Sequence, residues 1–532
     1  MTWWFLVVDD TYPRGNVQVL PAKDGGLDDT MPHQRRNEYG AADRPWRTGK
    51  LCLERPVAVL GMRDEELSAS GRMAWHVQRA VEWLQAAATD RLRVAGERFE
   101  LPELPPTSDM LAFIEDDVTL AAWNASARTH GIVELVRIDS WWRANAFDGI
   151  ETLPCWGTWG ATATKAVRGG WIRSPGVPVI RNWSFPSTWG ELREATRAHG
   201  VTLDDHLKPL VPRLRAAGTS LLLLGAAVPQ TWAGAPVEMH WWALTLPKLA
   251  SQSKPPPGFR PTDDSLWLYD RQNALHDGRK ISWVSTSNVA PHRRRARGSA
   301  SRALTTKRVL LIGAGALGSQ VAELLVRLGV QTLGVVDKEK LEAGNLARHT
   351  LTLRDVGKSK AVAVAERLST LSATVAVKGL NCDAAASASS TDIGAFDVVI
   401  DCSADRDALD ALDSLGDGVR PIHWVSLSLS MDAERLYVFT ACSGRFPRTA
   451  FEEAVGPWTE KDWVGIDVDA LHSEGAGCWH PLSPARADDV MATAAIAVRT
   501  LDERIEANID QAQLTVFERR HDAGAFQGYV RV

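Results

Sequence analysis

The chain has 532 residues, which is too long for one hydrophobic core and predicts about two to four domains. Its 45% hydrophobic and 23% charged residues are ordinary for a globular protein, and a formal net charge of −5 excludes a strong nucleic-acid-binding field. No apolar run approaches the roughly 18 residues of a membrane span, and residues 1–30 lack a signal-peptide pattern. We therefore expect a cytoplasmic protein without membrane or nucleic-acid partners.

Tryptophan and cysteine are informative about organisation. Eighteen of the 22 tryptophans precede residue 300, which indicates a different architecture in the N-terminal part. The six cysteines are scattered without a C-x-x-C pair, so neither a zinc site nor a disulfide framework is predicted. Linker-like segments at 101–108 and 291–302 divide the chain into 1–105, 106–300 and 301–532.

The N-terminal segment begins with two predicted strands, over 3–8 and 16–20, and a long helical pattern follows further on. Between them lies an irregular stretch with the pair Pro32-His33 and the run G-K-L-C-L, which contains Cys52. Strands, a cysteine-bearing loop and then a helix resemble the ubiquitin-conjugating (E2) enzymes. The resemblance implies an α+β domain in which Cys52 carries a thioester.

This N-terminal stretch departs from the conjugating-enzyme pattern in the spacing of its landmarks. Pro32-His33 lies farther from Cys52 than in that family, and no asparagine follows it directly. The oxyanion residue therefore stays open, with Asn37 as one candidate. The alternative for Cys52 is a buried cysteine at the end of a strand.

The middle segment, 106–300, contains no motif that indicates a catalytic or ligand-binding role. Its tryptophan-rich stretch at 141–189 and the apolar run at 219–227 predict a mixed α/β module. Core packing of the tryptophans is the favoured interpretation. Two alternatives are a tryptophan surface for a protein partner and a catalytically inactive adenylation-like half.

The C-terminal segment opens on a phosphate-binding pattern. A short apolar run ends in G-A-G-A-L-G, with glycines at Gly313, Gly315 and Gly318, and a helical pattern follows. Such a turn lets backbone N–H groups approach a phosphate at the start of a helix. A second apolar run ends in Asp337, whose carboxylate suits a ribose hydroxyl. A nicotinamide-binding protein would explain these features equally well.

The residues further along favour ATP over a nicotinamide cofactor. Asn345, Arg348 and Lys360 follow in that order, and cationic side chains can neutralise a departing pyrophosphate. Another predicted strand then ends in D-C-S-A-D, with Asp401 and Asp405. Carboxylates at the end of a strand can hold Mg²⁺ that bridges phosphates.

This succession of elements resembles the ubiquitin-activating (E1-like, ThiF) superfamily. The resemblance implies a Rossmann-like α/β adenylation domain with a mostly parallel sheet, ATP and Mg²⁺ as cofactors, and a homodimer. Carried over by position, the residues that contact the nucleotide are Gly313, Gly315, Gly318, Asp337, Asn345, Arg348 and Lys360. Asp405 would bind Mg²⁺, but its four-residue spacing from Asp401 departs from the family's three, so the choice between them stays open.

A candidate acceptor thiol lies near the end of a long irregular stretch. Cys478 sits in G-A-G-C-W-H-P with His480 close by, and a helix follows. A flexible loop and a nearby histidine suit a thiolate nucleophile. In the resembling enzymes a crossover loop carries the acceptor cysteine. Cys442 is the alternative acceptor, whereas Cys382 and Cys402 are expected to be structural.

The order of conjugating-like, middle and activating-like segments resembles the bacterial fusion enzymes of CBASS anti-phage operons. The resemblance implies ATP-dependent activation of the C-terminus of a cGAS-like nucleotidyltransferase or ubiquitin-like protein. Transfer would run from Cys478 to Cys52 and then to a target amine. One alternative is a ThiF-like adenylase that modifies a small peptide or sulfur carrier, with the N-terminal region serving only recognition. A non-catalytic scaffold is the other.

Overall fold

The polypeptide divides into two units, which are Met1–Pro154 with Ala163–Val289, and Cys155–Thr162 with Ala290–Val532. The computed structural model describes residues 1–53, 68–105, 107–150, 156–157, 166–215, 221–386, 395–415, 420–464, 471 and 483–532. Within these ranges, every helix is too short or too polar to cross a membrane.

The first unit starts with the two strands that the sequence predicts. They are β1 (Trp4–Val8) and β2 (Val17–Pro21), which pair antiparallel with Trp4 opposite Pro21. The predicted helix, α1 (Ala69–Ala88), begins after Ser68, whose hydroxyl accepts a hydrogen bond from the N–H of Gly71 at 3.1 Å. Such a cap satisfies one of the backbone donors that a helix start leaves unpaired.

Two irregular segments extend this small sheet. The N–H of Leu51 donates to the carbonyl of Val19 at 3.0 Å, and the N–H of Arg35 donates to the carbonyl of Lys50 at 2.9 Å. The chain around residue 50 therefore lies between β2 and the segment around residue 35. The core beneath this layer and α1 consists of Val19, Leu51, Leu53, Ala80, Trp83 and Leu92.

Seven strands close the rest of this unit into a barrel, in the order β3-β5-β4-β6-β7-β8-β9. The strands are β3 (Met110–Phe113), β4 (His130–Ile138), β5 (Trp141–Phe147), β6 (Val167–Arg173), β7 (Leu221–Pro229), β8 (Pro236–Thr245) and β9 (Ser282–Asn288). The helices of this part are α2 (Asp117–Ala125), α3 (Trp189–Arg197), α4 (Leu203–Arg215) and α5 (Asp263–Asn273). Since β3 pairs with both β5 and β9, the ring is closed, and the alternative of an inactive adenylation-like half is wrong.

The barrel is filled by tryptophans, as the sequence predicts. Trp123, Trp171 and Trp241 are fully buried, and the first two rings meet edge to face with centroids 5.1 Å apart. The buried carboxylate of Glu115 accepts hydrogen bonds from the indoles of Trp123 at 3.0 Å and Trp241 at 2.7 Å. Burial raises the pKa of Glu115 to about 7. The tryptophans of this interior are core residues and do not form a partner surface.

The second unit is built on one eight-stranded sheet, in the order β12-β11-β10-β13-β14-β15-β16-β17. Its strands are β10 (Arg308–Ile312), β11 (Thr332–Val336), β12 (Ala376–Leu380), β13 (Val398–Asp401), β14 (Ile422–Leu429), β15 (Arg435–Ser443), β16 (Gln513–Asp522) and β17 (Ala525–Arg531). Its helices are α6 (Pro291–Arg295), α7 (Arg302–Thr305), α8 (Ala316–Arg327), α9 (Lys360–Ser369), α10 (Arg406–Leu415), α11 (Arg448–Val464) and α12 (Ala487–Glu506). The predicted α/β fold is confirmed here.

The direction of the strands changes across this sheet. From β12 to β14 every neighbouring pair is parallel, whereas from β14 to β17 every pair is antiparallel. The parallel strands share one register, because Ile312 at the end of β10 pairs with both Val336 and Asp401. The carboxyl ends of β10, β11 and β13 therefore meet at one edge, which is where α/β sheets bind ligands.

Candidate functional site

The turn between β10 and α8 depends on its glycines. Gly313 has a positive φ of +87°, and a Cβ there would lie 2.7 Å from the backbone of Ser403. A Cβ on Gly318 would lie 1.9 Å from the carbonyl oxygen of Gly313. Gly315 differs, because a Cβ on it would meet no atom within 4 Å. The first and third glycines thus allow tight packing, whereas Gly315 faces open space.

That open space belongs to a cavity of about 320 Å³, which we call the glycine-loop cavity. Its walls include Gly313, Gly315, Asp337, Lys338, Ser403 and Asp405. Helix α8 begins here, and its capping residue is Gly315, which supplies no side chain to occupy the first N–H groups. A helix start without a side-chain cap is well suited to an anion such as a phosphate.

Asp337 is held firmly at the end of β11. Its Oδ2 accepts a hydrogen bond from the N–H of Ala314 at 2.7 Å, and its Oδ1 accepts one from the N–H of Glu339 at 2.7 Å. Each oxygen retains a further lone pair for a ligand. The predicted ribose carboxylate therefore lies in the cavity wall in a fixed orientation.

The two candidate metal carboxylates occupy different environments. Asp401 is buried and accepts hydrogen bonds from the hydroxyls of Ser403 at 2.6 Å and Ser426 at 3.0 Å, and burial raises its pKa. Asp405 lies in the wall of the glycine-loop cavity, where Lys338 approaches it to 3.3 Å. Among the described residues, no group of three or more acidic, histidine or cysteine side chains is arranged to hold a metal ion. A cation here would need additional oxygen ligands, such as phosphates or water.

The three other predicted phosphate ligands are not in the wall of that cavity. Lys360 is buried in an ion pair with Glu339 at 2.6 Å. The side chain of Asn345 caps a short 3-10 helix by accepting from the N–H of Glu342 at 3.1 Å. Arg348 donates from Nη1 to the carbonyl of Ser483 at 2.6 Å. Each of the three thus has a protein partner in this structure.

Arg348 instead lines a second cavity, of about 930 Å³, which we call the β14 groove. The groove adjoins the glycine-loop cavity, because Gly315, Cys402 and Ser403 line both. Its other walls come from the end of β14, from α11 and from Ser483 and the residues near it. The two cavities therefore meet at the glycine loop.

The cysteines of the second unit differ in where they lie relative to the two cavities. Cys478 lies outside the described residues. Cys442 pairs with His423 at the start of β14, away from the carboxyl ends of the strands, and burial raises its pKa. Cys382 and Cys402, expected to be structural, both line the glycine-loop cavity, because Cys402 directly follows β13 and Cys382 lies two residues after the end of β12. Their placement could have been inferred from the strand ends, and their structural role stays a prediction.

In the first unit, the structure brings the N-terminal landmarks together. Cys52 is exposed, and its N–H donates to the carbonyl of His33 at 2.9 Å. Desolvation of the thiol and the nearby carboxylate of Glu100 raise the pKa of Cys52. The amide of Asn37 donates to the carbonyls of Leu27 at 2.7 Å and Asp29 at 2.9 Å. Asn37 is therefore a structural residue, and the alternative of a buried Cys52 is wrong.

Two known protein families match this chain, one on each side of residue 290. Residues 90–289 match the family model of the Cap2 central linker domain, and residues 291–415 match that of the ThiF family. The chain is 32% identical over 525 residues to the ATP-dependent ubiquitin transferase-like protein Cap2 of Enterobacter hormaechei, covering 95% of this chain and 86% of that one. The chain belongs to the Cap2 family.

Proteins outside the Cap2 family are similar to part of the chain. The sulfur carrier protein ThiS adenylyltransferase of Bacillus subtilis is 38% identical over 115 residues, which are 21% of this chain and 32% of that one. A crystal structure of Escherichia coli MccB with AMPCPP and MccA covers 42% of this chain and 64% of its own, at 13% identity and a TM-score of 0.29. A score at that level establishes no structural relationship. The predicted E1-like superfamily and the E1-like type of enzyme are confirmed by the Cap2 and ThiF matches.

Gly315 offers a sharp test of the cavity in this Cap2-family chain. We expect Gly315→Ala to leave the melting temperature unchanged, because φ is an ordinary −77° and the new methyl group meets no atom within 4 Å. The methyl group would occupy the phosphate space, so ATP affinity should fall about tenfold or more, or about 1.4 kcal/mol. Calorimetric titration with ATP measures this.

Gly318→Ala is the matched control for the cavity test. Its Cβ would clash with the carbonyl of Gly313, so this variant should lose thermal stability. Unchanged ATP affinity in Gly315→Ala would show that the phosphates bind elsewhere.

Proposed function

We propose that this chain uses ATP to adenylate the C-terminal carboxylate of a protein, and then passes the acyl group through two cysteines to an amine. The observation that carries the proposal is the meeting of the glycine-loop cavity and the β14 groove at Gly315. One cavity has the features of a nucleotide site, and the other is an extended groove that leads to it. Adenylation needs both reactants side by side.

The glycine-loop cavity suits the nucleotide. The start of α8 would take the phosphates, and Asp337 would take the ribose. Asp405 is our choice for Mg²⁺, because it is partly exposed in the wall of the glycine-loop cavity, whereas Asp401 is buried. A bound Mg²⁺ would neutralise charge on the phosphates.

The β14 groove suits the acceptor's C-terminal tail. Its wall combines apolar side chains, such as Leu427, Leu429 and Phe451, with serines and charged side chains, and Arg348 is one of its cationic residues. The terminal carboxylate would attack the α-phosphorus of ATP, forming an acyl–AMP anhydride while pyrophosphate leaves. Arg348 would stabilise the negative charge that develops on the phosphates. To do so, its guanidinium would exchange its present carbonyl partners for phosphate oxygens.

Thioester transfer would follow. Positions 478 and 483 are five residues apart in sequence, so a chain in any conformation keeps their Cα atoms within about 18 Å. Ser483 lines the β14 groove, which supports Cys478 as the thiolate that attacks the acyl carbonyl and displaces AMP. Exposed Cys52 would then take the acyl group by thioester exchange, and a target amine, such as a lysine, would receive it as an amide.

The partners follow from the resemblance and the family. We propose a cGAS-like nucleotidyltransferase or a ubiquitin-like protein as the activated protein, a protein amine as the target, and a homodimer as the working form. The setting would be anti-phage defence in the bacterial cytoplasm. The Cap2 relative, whose name includes ATP-dependent ubiquitin transferase-like activity, supports the activity in general.

The test is ATP–pyrophosphate exchange by the purified full chain with the protein encoded beside its gene. We expect exchange that requires this acceptor and disappears when the acceptor's last residue is removed. An acceptor with an internal deletion of equal size and an intact C-terminus is the matched control. NADH binding without ATP binding would contradict the proposal in favour of a nicotinamide-binding protein.

A further inference from the structure

His349, which directly follows Arg348, has no role in the proposed reaction so far. Its imidazole is buried, with Nε2 2.7 Å from the carbonyl oxygen of Ala314 and Nδ1 3.1 Å from the backbone nitrogen of Leu351. The carbonyl oxygen can only accept a hydrogen bond, and the backbone N–H can only donate one. His349 is therefore neutral, with its proton on Nε2.

The bond from His349 reaches the centre of the glycine loop. Ala314 lies between Gly313 and Gly315, and its own N–H is held by Asp337 at 2.7 Å. Both the N–H and the carbonyl of Ala314 are therefore held by hydrogen bonds to side chains. In a planar trans peptide the N–H points opposite to the C=O. By fixing the carbonyl of Ala314, His349 fixes the direction of the N–H of Gly315, which lines the glycine-loop cavity.

Other bonds join the His349 segment to the same loop. The N–H of Thr350 donates to the hydroxyl of Ser319 at 3.4 Å, and the amide of Gln320 donates to the carbonyl of Arg348 at 3.4 Å. Both partners lie in the first turns of α8. The segment and the phosphate end of the helix therefore form one connected structure, and His349 is a titratable member of it.

We propose that His349 is a positioning residue for the nucleotide, and that its protonation at acidic pH weakens nucleotide binding. This inference rests on the proposed ATP-dependent function. A protonated imidazole carries N–H on both nitrogens. Its Nδ1–H would then face the N–H of Leu351, and two donors cannot share a hydrogen bond. The ring would have to move, and the Ala314–Gly315 peptide would lose its restraint.

Burial, more than the surrounding charges, keeps His349 neutral. Burial is the largest cause that lowers its pKa, and Lys360 and Arg367 of α9 act in the same direction, whereas the bond to Ala314 and the carboxylate of Asp337 oppose them. The folded protein thus binds this proton more weakly than the unfolded chain does. The neutral imidazole of His349 therefore makes its full contribution to the stability of the fold above about pH 6.5. This contribution is lost as the pH falls through the lowered pKa.

The experiment is calorimetric titration of the full chain with Mg·ATP at about pH 8 and about pH 5.5, on either side of the ordinary histidine pKa. We expect the wild type to bind more weakly at the lower pH, but by less than about tenfold, because the lowered pKa leaves part of the imidazole neutral there. His349→Gln can both donate and accept without titrating, so it should bind as the wild type does at the higher pH and lose most of the pH dependence. His349→Ala should bind about tenfold more weakly at both pH values.

Controls separate the possible causes. ATP itself titrates in this range, but this effect is common to all variants and cancels in the comparison of His349→Gln with the wild type. Melting temperatures establish that each variant is folded. Wild-type affinity in His349→Ala, or wild-type pH dependence in His349→Gln, would overturn the inference. A wild type that binds no Mg·ATP at either pH would contradict the proposed function itself.

Discussion

Cys478→Ala is expected to exchange pyrophosphate with ATP as the wild type does, within about twofold, and to form no thioester. Adenylation precedes the thiol's attack, so removing the thiol should leave the first step intact. Cys52→Ala should instead trap the acyl group on Cys478. Intact mass and non-reducing gels of the chain, with and without a thiol reductant, detect both adducts.

Cys442→Ala is the matched control, because its thiol lies away from the carboxyl ends of the parallel strands. It should exchange pyrophosphate and form both thioesters normally. Loss of exchange in Cys478→Ala would assign this cysteine a structural role. Normal conjugation by Cys52→Ala would remove the conjugating role of the N-terminal domain and favour an adenylase that modifies a small peptide or sulfur carrier.

The second large effect concerns the two carboxylates. Asp405→Ala should lower pyrophosphate exchange about 100-fold or more, since electrostatic groups on the reacting phosphates commonly contribute that much. Its free energy of unfolding should fall by about 0.5–2 kcal/mol, because Oδ1 of Asp405 accepts a hydrogen bond from the N–H of Asp407 at 3.0 Å at the start of α10, whereas the ion pair with Lys338 is exposed. Exchange measured over a range of Mg²⁺ concentrations should show a weakened metal requirement.

Asp401 needs a gentler substitution for comparison. Asp401→Asn preserves shape but loses an acceptor for the hydroxyls of Ser403 and Ser426, so it should cost about 1–3 kcal/mol of stability. The folded variant should retain more exchange activity than Asp405→Ala. If Asp401→Asn alone abolishes exchange while remaining folded, Asp401 is the metal ligand and our choice between them is wrong.

The features of the second unit that sequence predicts well are local ones. The glycine turn, Asp337 and the strand that ends in Asp401 each follow from a short apolar run and the residue after it. Parallel strands bring their carboxyl ends together, so the prediction of a shared site needed only the strand type. Cys382 and Cys402 enter the cavity wall for the same reason.

The features that sequence did not predict depend on distant pairings. Arg348 bonds to Ser483, which is 135 residues away. The tryptophan-lined barrel closes only because β3 pairs with β9, at the other end of the same domain. Neither pairing leaves a local pattern in the sequence. The tautomer of His349 likewise follows from Ala314 and Leu351, whose positions only the fold supplies.

The order of the strands also bears on how the protein is made. Strand β13 pairs beside β10, although β11 and β12 come between them in the chain. The glycine-loop cavity therefore lacks part of its wall until residues up to Ala408 have left the ribosome. Until then, the glycine loop and Asp337 are present, but the backbone of Ser403 that packs against Gly313 is missing. A nascent chain thus cannot assemble the complete cavity early, and premature release upstream of Asp405 yields a fragment without it.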